Sequence, residues 1–342
     1  MRRAAFCTLA LLLAASALGC ARFGHAPPRA GLIGTLWWMT PEDAQRPVAE
    51  WRDDLDRLQA LGLNLLILNG PFVGAPDAGA GDPMLALFAE LDRRGMRVFI
   101  DTLAAPHWWT LDDPAGEIER ACARVRMLEG RYGAYDCFEG FYIPYELYVF
   151  WGERAGLIRR LYGEVSACCK QVAPERPVMI SPFFILDRAG ILGDFRWAEP
   201  AEYQAFWTHL LAQADIDIVA LQDSGEHLSF YTLADRAPFF EAMAAACRAT
   251  DTALWANIET GELAVRDARE YVERFGEKTH VNDPSTRPYW RGVPADKLAV
   301  KLEFAGAYTP TAITWGYREF IRPALGDSAA ALYAAYCEQL RK

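Results

Sequence analysis

Short apolar runs of strand length alternate with helical patterns eight times along this chain. The runs are 31–38 GLIGTLWW, 64–70 NLLILNG, 97–103 RVFIDTL, 138–146 FEGFYIPYE, 177–184 PVMISPFF, 217–223 DIVALQD, 253–259 ALWANIE and 311–317 TAITWGY. Between them lie helical patterns. Over 43–61, Val48, Trp51, Leu55 and Leu58 fall on one face, and similar periodicity runs over 82–94, 115–130, 155–172, 200–213, 236–249, 294–306 and 328–341. Strands that alternate with helices form parallel βα units. Eight such units in about 300 residues predict a single closed (β/α)₈ TIM barrel of the α/β class. An open doubly wound sheet is the alternative, but TLWWMTPED after the first strand has no GxGxxG phosphate loop. The longest irregular piece, 275–293, reads as a loop over the barrel mouth.

The barrel is expected over 31–342, behind a leader and a tether. MRR followed by an apolar run has the layout of a signal peptide over 1–19, and 20–30 is a short Pro-containing tether. ALGC resembles a bacterial lipobox, which implies cleavage before Cys20 and lipid on its thiol. With Ala21 next, the expected address is the bacterial cell envelope, at the outer membrane, on its periplasmic or surface side. The net charge of −10 and the lack of a basic run argue against nucleic acid, and leave the lipid as the one membrane contact. Besides Cys7 and Cys20 there are six cysteines, Cys122, Cys137, Cys168, Cys169, Cys247 and Cys337. Most sit among alanines in helical patterns and read as small buried thiols, although six allow fifteen pairings. No CxxC or CxxH spacing occurs, so no zinc site is expected, and the chemistry below calls for no cofactor.

In such barrels the active site lies at the C-terminal strand ends. In order these offer Trp37 and Trp38, Asn69, Asp101 with Trp108 and Trp109 just beyond, Glu146, Phe183 and Phe184, Gln222 and Asp223, Asn257 and Glu259, then Trp315 and Tyr317. Carboxylates, amides and indoles dominate, and basic side chains are nearly absent, which disfavours phosphate substrates. Sugars suit the set: their CH faces stack on rings and their hydroxyls pair with carboxylates and amides. Parity sharpens it. Trp255, Asn257 and Glu259 share one face of their strand, while Leu254, Ala256 and Ile258 share the helix-facing one. Likewise Tyr142, Pro144 and Glu146 point inward, and Phe141, Ile143 and Tyr145 outward. Two carboxylates converging on a cleft are the minimum for glycoside hydrolysis, one as acid and one as nucleophile or base. An apolar setting of Tyr142 and Tyr145 would raise the proton affinity of Glu146, which suits the acid.

The segments GFYIPYEL, ALQDSGE, LWANIETGE and AITWGYREFIRP, with GTLWW and WRDDLDRLQALGLNLLIL before them, resemble a bacterial domain-of-unknown-function family of glycosidase-like TIM barrels over about 31–325. That family is similar to the clan of retaining β-glycosidases with its acid/base on strand 4 and nucleophile on strand 7. The resemblance implies Glu146 as acid/base, Glu259 as nucleophile, and Trp315 as the tryptophan that floors the sugar subsite. One position departs from the clan: Tyr145 stands where an asparagine usually binds the sugar 2-hydroxyl.

The expected function is a lipid-anchored glycoside hydrolase acting on a β-linked oligo- or polysaccharide. Its substrate contacts are Trp37, Trp38, Asp101, Trp108, Tyr142, Tyr145, Gln222, Asp223, Asn257, Trp315 and Tyr317. The alternative is a glycan-binding barrel without catalysis. Individual residues have plainer readings too. Glu146 can cap a helix or pair with Arg154, Asp223 can close an Asx turn, and Asp101 can hold a neighbouring loop. Glu226 and Glu262 read as solvated loop acids, Trp51 and Trp207 as core, and His107 and His227 as loop hydrogen-bonders.

Overall fold

Each apolar run becomes a strand, and the eight strands close on themselves. In a computed structural model, residues 29–71, 73, 82–191, 195–224, 230–279 and 283–341 are described. The leader with Cys20, and Glu226 and His227, lie outside the described residues. The barrel strands are β1 (Gly31–Trp38), β2 (Leu65–Asn69), β3 (Arg97–Asp101), β4 (Phe138–Ile143), β5 (Val178–Ile180), β6 (Ile218–Gln222), β7 (Ala253–Glu259) and β10 (Thr311–Trp315). They run in the closed order β1-β10-β7-β6-β5-β4-β3-β2, every pair parallel. The helices are α1 (Pro41–Gln45), α2 (Val48–Ala60), α3 (Pro83–Arg94), α4 (Ala115–Tyr132), α5 (Gly152–Val172), α6 (Pro200–Leu211), α7 (Leu233–Ala249), α8 (Ala268–Phe275), α9 (Ala295–Gly306) and α10 (Asp327–Leu340). A short antiparallel pair, β8 (Gly261–Leu263) with β9 (Trp290–Gly292), is added after β7.

Three of the boundaries that differ from the sequence reading have a local cause. The helix expected over 43–61 breaks into α1 and α2 at Pro47, whose missing N–H ends one hydrogen-bond ladder. Strand β4 stops at Ile143, one residue before Pro144. The 275–293 segment is more than a loop: Pro284–Tyr289 forms a 3₁₀ turn, and 290–292 pairs as β9 with β8.

Alternation along the strands builds two apolar layers. Leu36, Leu65, Ile67, Phe99, Tyr142, Met179, Ile218, Ala220 and Ile313 fill the barrel interior. The other face packs against the helices, with Leu66, Leu68, Val98, Ile100, Phe141, Ile143, Val219, Leu221, Ala256 and Ile258 among its members. Trp51 and Trp207 are buried in this outer layer, as read from the sequence. The barrel is closed electrostatically between its first and last units. Asp54 of α2 takes Arg46 at 2.5 Å and Arg322 at 2.8 Å. Of the six cysteines named above, all are free thiols, four of them buried.

Candidate active site

Towards the C-terminal ends of β6 and β7 the inward face turns polar. On β6 the apolar Ile218 and Ala220 give way to Gln222, and on β7 Trp255 gives way to Asn257 and then Glu259. Register then sets the neighbours. Gln222 stands beside Asn257, and Trp315 beside Glu259. Ser181, the first residue past β5, ties these strands together: Asn257 Nδ2 donates to its hydroxyl at 3.0 Å, and Gln222 Nε2 to its carbonyl at 2.9 Å. Sequence reading passed over Ser181. Its signal was the parity that places it on the face of Met179.

Glu146 lies past the end of β4, where Pro144 and the Glu146 N–H close a three-residue turn at 3.0 Å. That turn re-aims the chain, so the glutamate does not continue the strand. Burial pushes its carboxyl up to about 7, against the pull of the facing Gln222 amide. Arg154, its alternative ion-pair partner, instead donates to the Leu111 carbonyl. Glu146 thus faces Gln222, and Gln222 stands beside Asn257, two residues before Glu259 on β7. Glu259 is fully buried. Two amide atoms in this region, Asn69 Nδ2 and Asn257 Oδ1, are buried with no hydrogen-bond partner among the described residues. Buried polar atoms of this kind are costly unless something else pairs with them.

The other expected contacts divide between the two faces. Trp38 is 41% exposed at the rim, Trp315 is half-buried against the interior layer, and Tyr142 is buried within it. Trp37, by contrast, alternates to the outside, where its ring packs 4.9 Å from Trp51 and 6.0 Å from Tyr317. Tyr317 follows Gly316, whose φ of +98° breaks strand parity, and its hydroxyl donates to Asp54 at 3.3 Å. A Cβ on Gly316 would stand 2.7 Å from Thr260 Oγ1, so no other residue fits that turn. Trp108 is buried 5.0 Å from Tyr145, and the Tyr145 hydroxyl donates to Glu117 at 3.0 Å. Trp37, Trp108, Tyr145 and Tyr317 therefore belong to the helix–sheet layer, not to the mouth.

Asp101 shares the inward parity of Phe99, Asp223 has the outward parity of Leu221, and both are engaged by the protein. Asp101 accepts from the Gly70 N–H at 2.7 Å and pairs with the buried Arg124 at 3.4 Å. Burial pushes it up to about 6, with Arg124 and the Gly70 N–H opposing. It holds the β2 loop, the plainer of its two sequence readings. Asp223 forms an ion pair with Lys301 at 2.8 Å, both side chains buried. Glu262, expected to be solvated, is buried between Arg291 at 2.8 Å and Lys297. His107 is exposed, in the left-handed region at φ +61°.

A family model described as a domain of unknown function, DUF4434, matches residues 32–324. No curated protein matches the sequence. Among solved structures, a candidate alpha-L-fucosidase from Bacteroides thetaiotaomicron VPI-5482 superposes with a TM-score of 0.68 at 19% identity, covering 95% of this chain and 98% of that one. The catalytic domain of the major endoglucanase from Xanthomonas campestris pv. campestris gives 0.54 at 16% identity, over 93% and 98%. The endo-beta-1,4-mannanase from Thermotoga petrophila gives 0.53 at 13% identity, over 91% and 77%. At these identities the likeness establishes the barrel fold and nothing finer.

Proposed function

Because the chain belongs to the DUF4434 family, a domain of unknown function, we propose an activity from its site: hydrolysis of a β-linked oligo- or polysaccharide by a two-carboxylate, retaining mechanism. The observation that carries this is Glu146, a carboxyl that keeps its proton up to about pH 7, just past β4, with the buried Glu259 at the end of the non-adjacent β7. In the first step Glu259 attacks the anomeric carbon while the Glu146 proton passes to the leaving oxygen. In the second, the Glu146 carboxylate takes a proton from water, and that water releases the sugar from Glu259. Gln222 and Asn257 orient sugar hydroxyls, and Trp38 and Trp315 stack on ring faces. Retention calls for a carboxylate separation of about 5–5.5 Å in the substrate-bound protein. The superposed glycosidases agree with this reading at the level of fold.

The second reading, a glycan-binding barrel without catalysis, draws support from Tyr145. Its ring is turned to the outer layer, so the strand-4 position that binds a 2-hydroxyl in retaining β-glycosidases has no inward side chain here. In either case the leader and Cys20 would anchor the protein by lipid at the outer membrane, outside the cytoplasm.

The deciding experiment is turnover of aryl β-glycosides, an aryl α-L-fucoside and β-linked oligosaccharides by the parent, Glu146→Gln and Glu259→Gln. The hydrolase reading expects turnover by the parent, loss in Glu259→Gln, and in Glu146→Gln a loss that is smallest for activated aryl leaving groups. Binding of oligosaccharides with no turnover of any of them would establish the second reading instead.

A further inference from the structure

Lys301, on α9, aims its charge at the barrel rather than at solvent. It lies on the helix face of Leu298, Leu302 and Ala305, and its side chain is 4% exposed. An ammonium there is tolerated only if its charge and donors are satisfied. Its Nζ lies 2.8 Å from Asp223 Oδ2 and donates to the Glu259 carbonyl at 2.5 Å. The partner oxygen of the same carboxylate, Asp223 Oδ1, accepts from the Glu259 N–H at 3.4 Å. Asp223 is itself fixed, its N–H to the Asn257 carbonyl at 3.1 Å and its carbonyl to Arg236 Nε at 2.8 Å. The peptide groups on both sides of Glu259 are thus held by two ends of one buried ion pair.

We propose that the Asp223–Lys301 pair is a positioning device for Glu259: it clamps the backbone at that residue and, being neutral as a pair, leaves the Glu259 carboxyl free to ionise. Without the lysine, an uncompensated Asp223 carboxylate would stand beside Glu259 and disfavour its charge. Among the described residues, the charged side chains that flank this point are themselves engaged. Arg236 comes from α7, and Glu262 of β8 is held by Arg291 of β9 and Lys297 of α9. Of the described residues, β10 sets the uncharged Trp315 beside Glu259, and Glu146 faces Gln222. This inference rests on the nucleophile role given to Glu259 above, but its physical core, the ionisation of Glu259, is measurable without turnover.

The test is the titration of Glu259 followed by NMR of ¹³C-labelled glutamate, with the resonance assigned by its absence in Glu259→Gln. It is run on the parent, Lys301→Met, Lys301→Arg and the neutral double variant Asp223→Asn/Lys301→Met. Lys301→Met should raise the Glu259 midpoint by about one pH unit or more and move the acid limb of kcat/KM by the same amount. Lys301→Arg and the double variant should return it towards the parent value. Where Lys301→Met folds poorly, Asp223→Asn is the second test: it leaves the Lys301 cation uncompensated beside Glu259 and should lower the midpoint, and an unmoved midpoint there overturns the proposal as well. A midpoint unmoved in Lys301→Met, relative to the parent, overturns the proposal even if the protein hydrolyses glycosides. A moved midpoint in a parent that hydrolyses nothing upholds the clamp and sinks the hydrolase reading.

Discussion

The Tyr145 hydroxyl donates to Glu117 Oε1 at 3.0 Å, across the layer between β4 and α4. Glu117 also accepts from the Ala105 N–H at 2.8 Å and pairs with Arg120, so it stays satisfied when one donor is lost. Tyr145→Phe should therefore cost about 1 kcal/mol in urea unfolding and leave kcat and KM unchanged. Tyr145→Asn would mimic the usual residue at this position, but it empties a site packed against Trp108 and Tyr162. It should cost about 3–5 kcal/mol and gain no activity. A several-fold rise in KM for Tyr145→Phe would return this residue to the substrate.

Glu146 links activity and stability with opposite demands. Burial holds its folded carboxyl at about 7, above the ordinary 4.5, so between these pH values the folded state binds more protons than the unfolded one. Stability must then fall as pH rises through that window. Glu146→Gln removes the effect. Its unfolding free energy should match the parent near pH 4 and exceed it above pH 7 by at most about 3 kcal/mol, read from melting curves across pH. In the parent, kcat/KM should decline as pH rises through about 7, since the acid must enter protonated.

Adjacent tryptophans should fail in different ways. Trp38 is 41% exposed at the rim, whereas Trp37 is wholly buried against Trp51. Trp38→Ala should raise KM for an oligosaccharide about ten-fold, roughly 1.4 kcal/mol of lost stacking, with little change in melting temperature. Trp37→Ala should instead cost about 3–5 kcal/mol of stability and leave the KM of the folded fraction near that of the parent. Melting curves beside steady-state kinetics separate the two.

That contrast shows how far the sequence could be read. The barrel was legible because both its layers are written in period-two alternation, and β7 carries it intact from Trp255 to Glu259. Legibility ended where the strands did. Nothing in WW says which ring faces in unless parity is counted back to Leu36, and counting fails past Gly316, where a positive φ turns Tyr317 outward. Trp108 sits on a 3₁₀ turn, where neither period applies. Lys301 was hidden for another reason. A lysine in a helical pattern reads as solvated, and only its place between Leu298 and Leu302 on the apolar face marked it as buried. Arg124 among Ala121, Val125 and Leu128 is the same case.

Arg124 also decides what Asp101 is for. Its guanidinium is buried, reaching Asp101 Oδ1 at 3.4 Å and the carbonyls of Asp101 and Val73. The other Asp101 oxygen holds the Gly70 N–H at 2.7 Å, so this carboxylate joins α4 to the loop after β2. Asp101→Asn strands a buried cation and should cost about 3 kcal/mol or more. Arg124→Met alone should be similarly damaging, because Asp101 then loses its countercharge. Together the two changes remove both charges, so the double variant should be more stable than the sum of the single losses, by about 1–3 kcal/mol of coupling in a thermal double-mutant cycle. A substrate contact behaves otherwise: Asp101→Asn would raise KM, unfold like the parent, and show no coupling to Arg124. The charge of Asp101 would then be answering the ligand, and Gly70 would need another anchor.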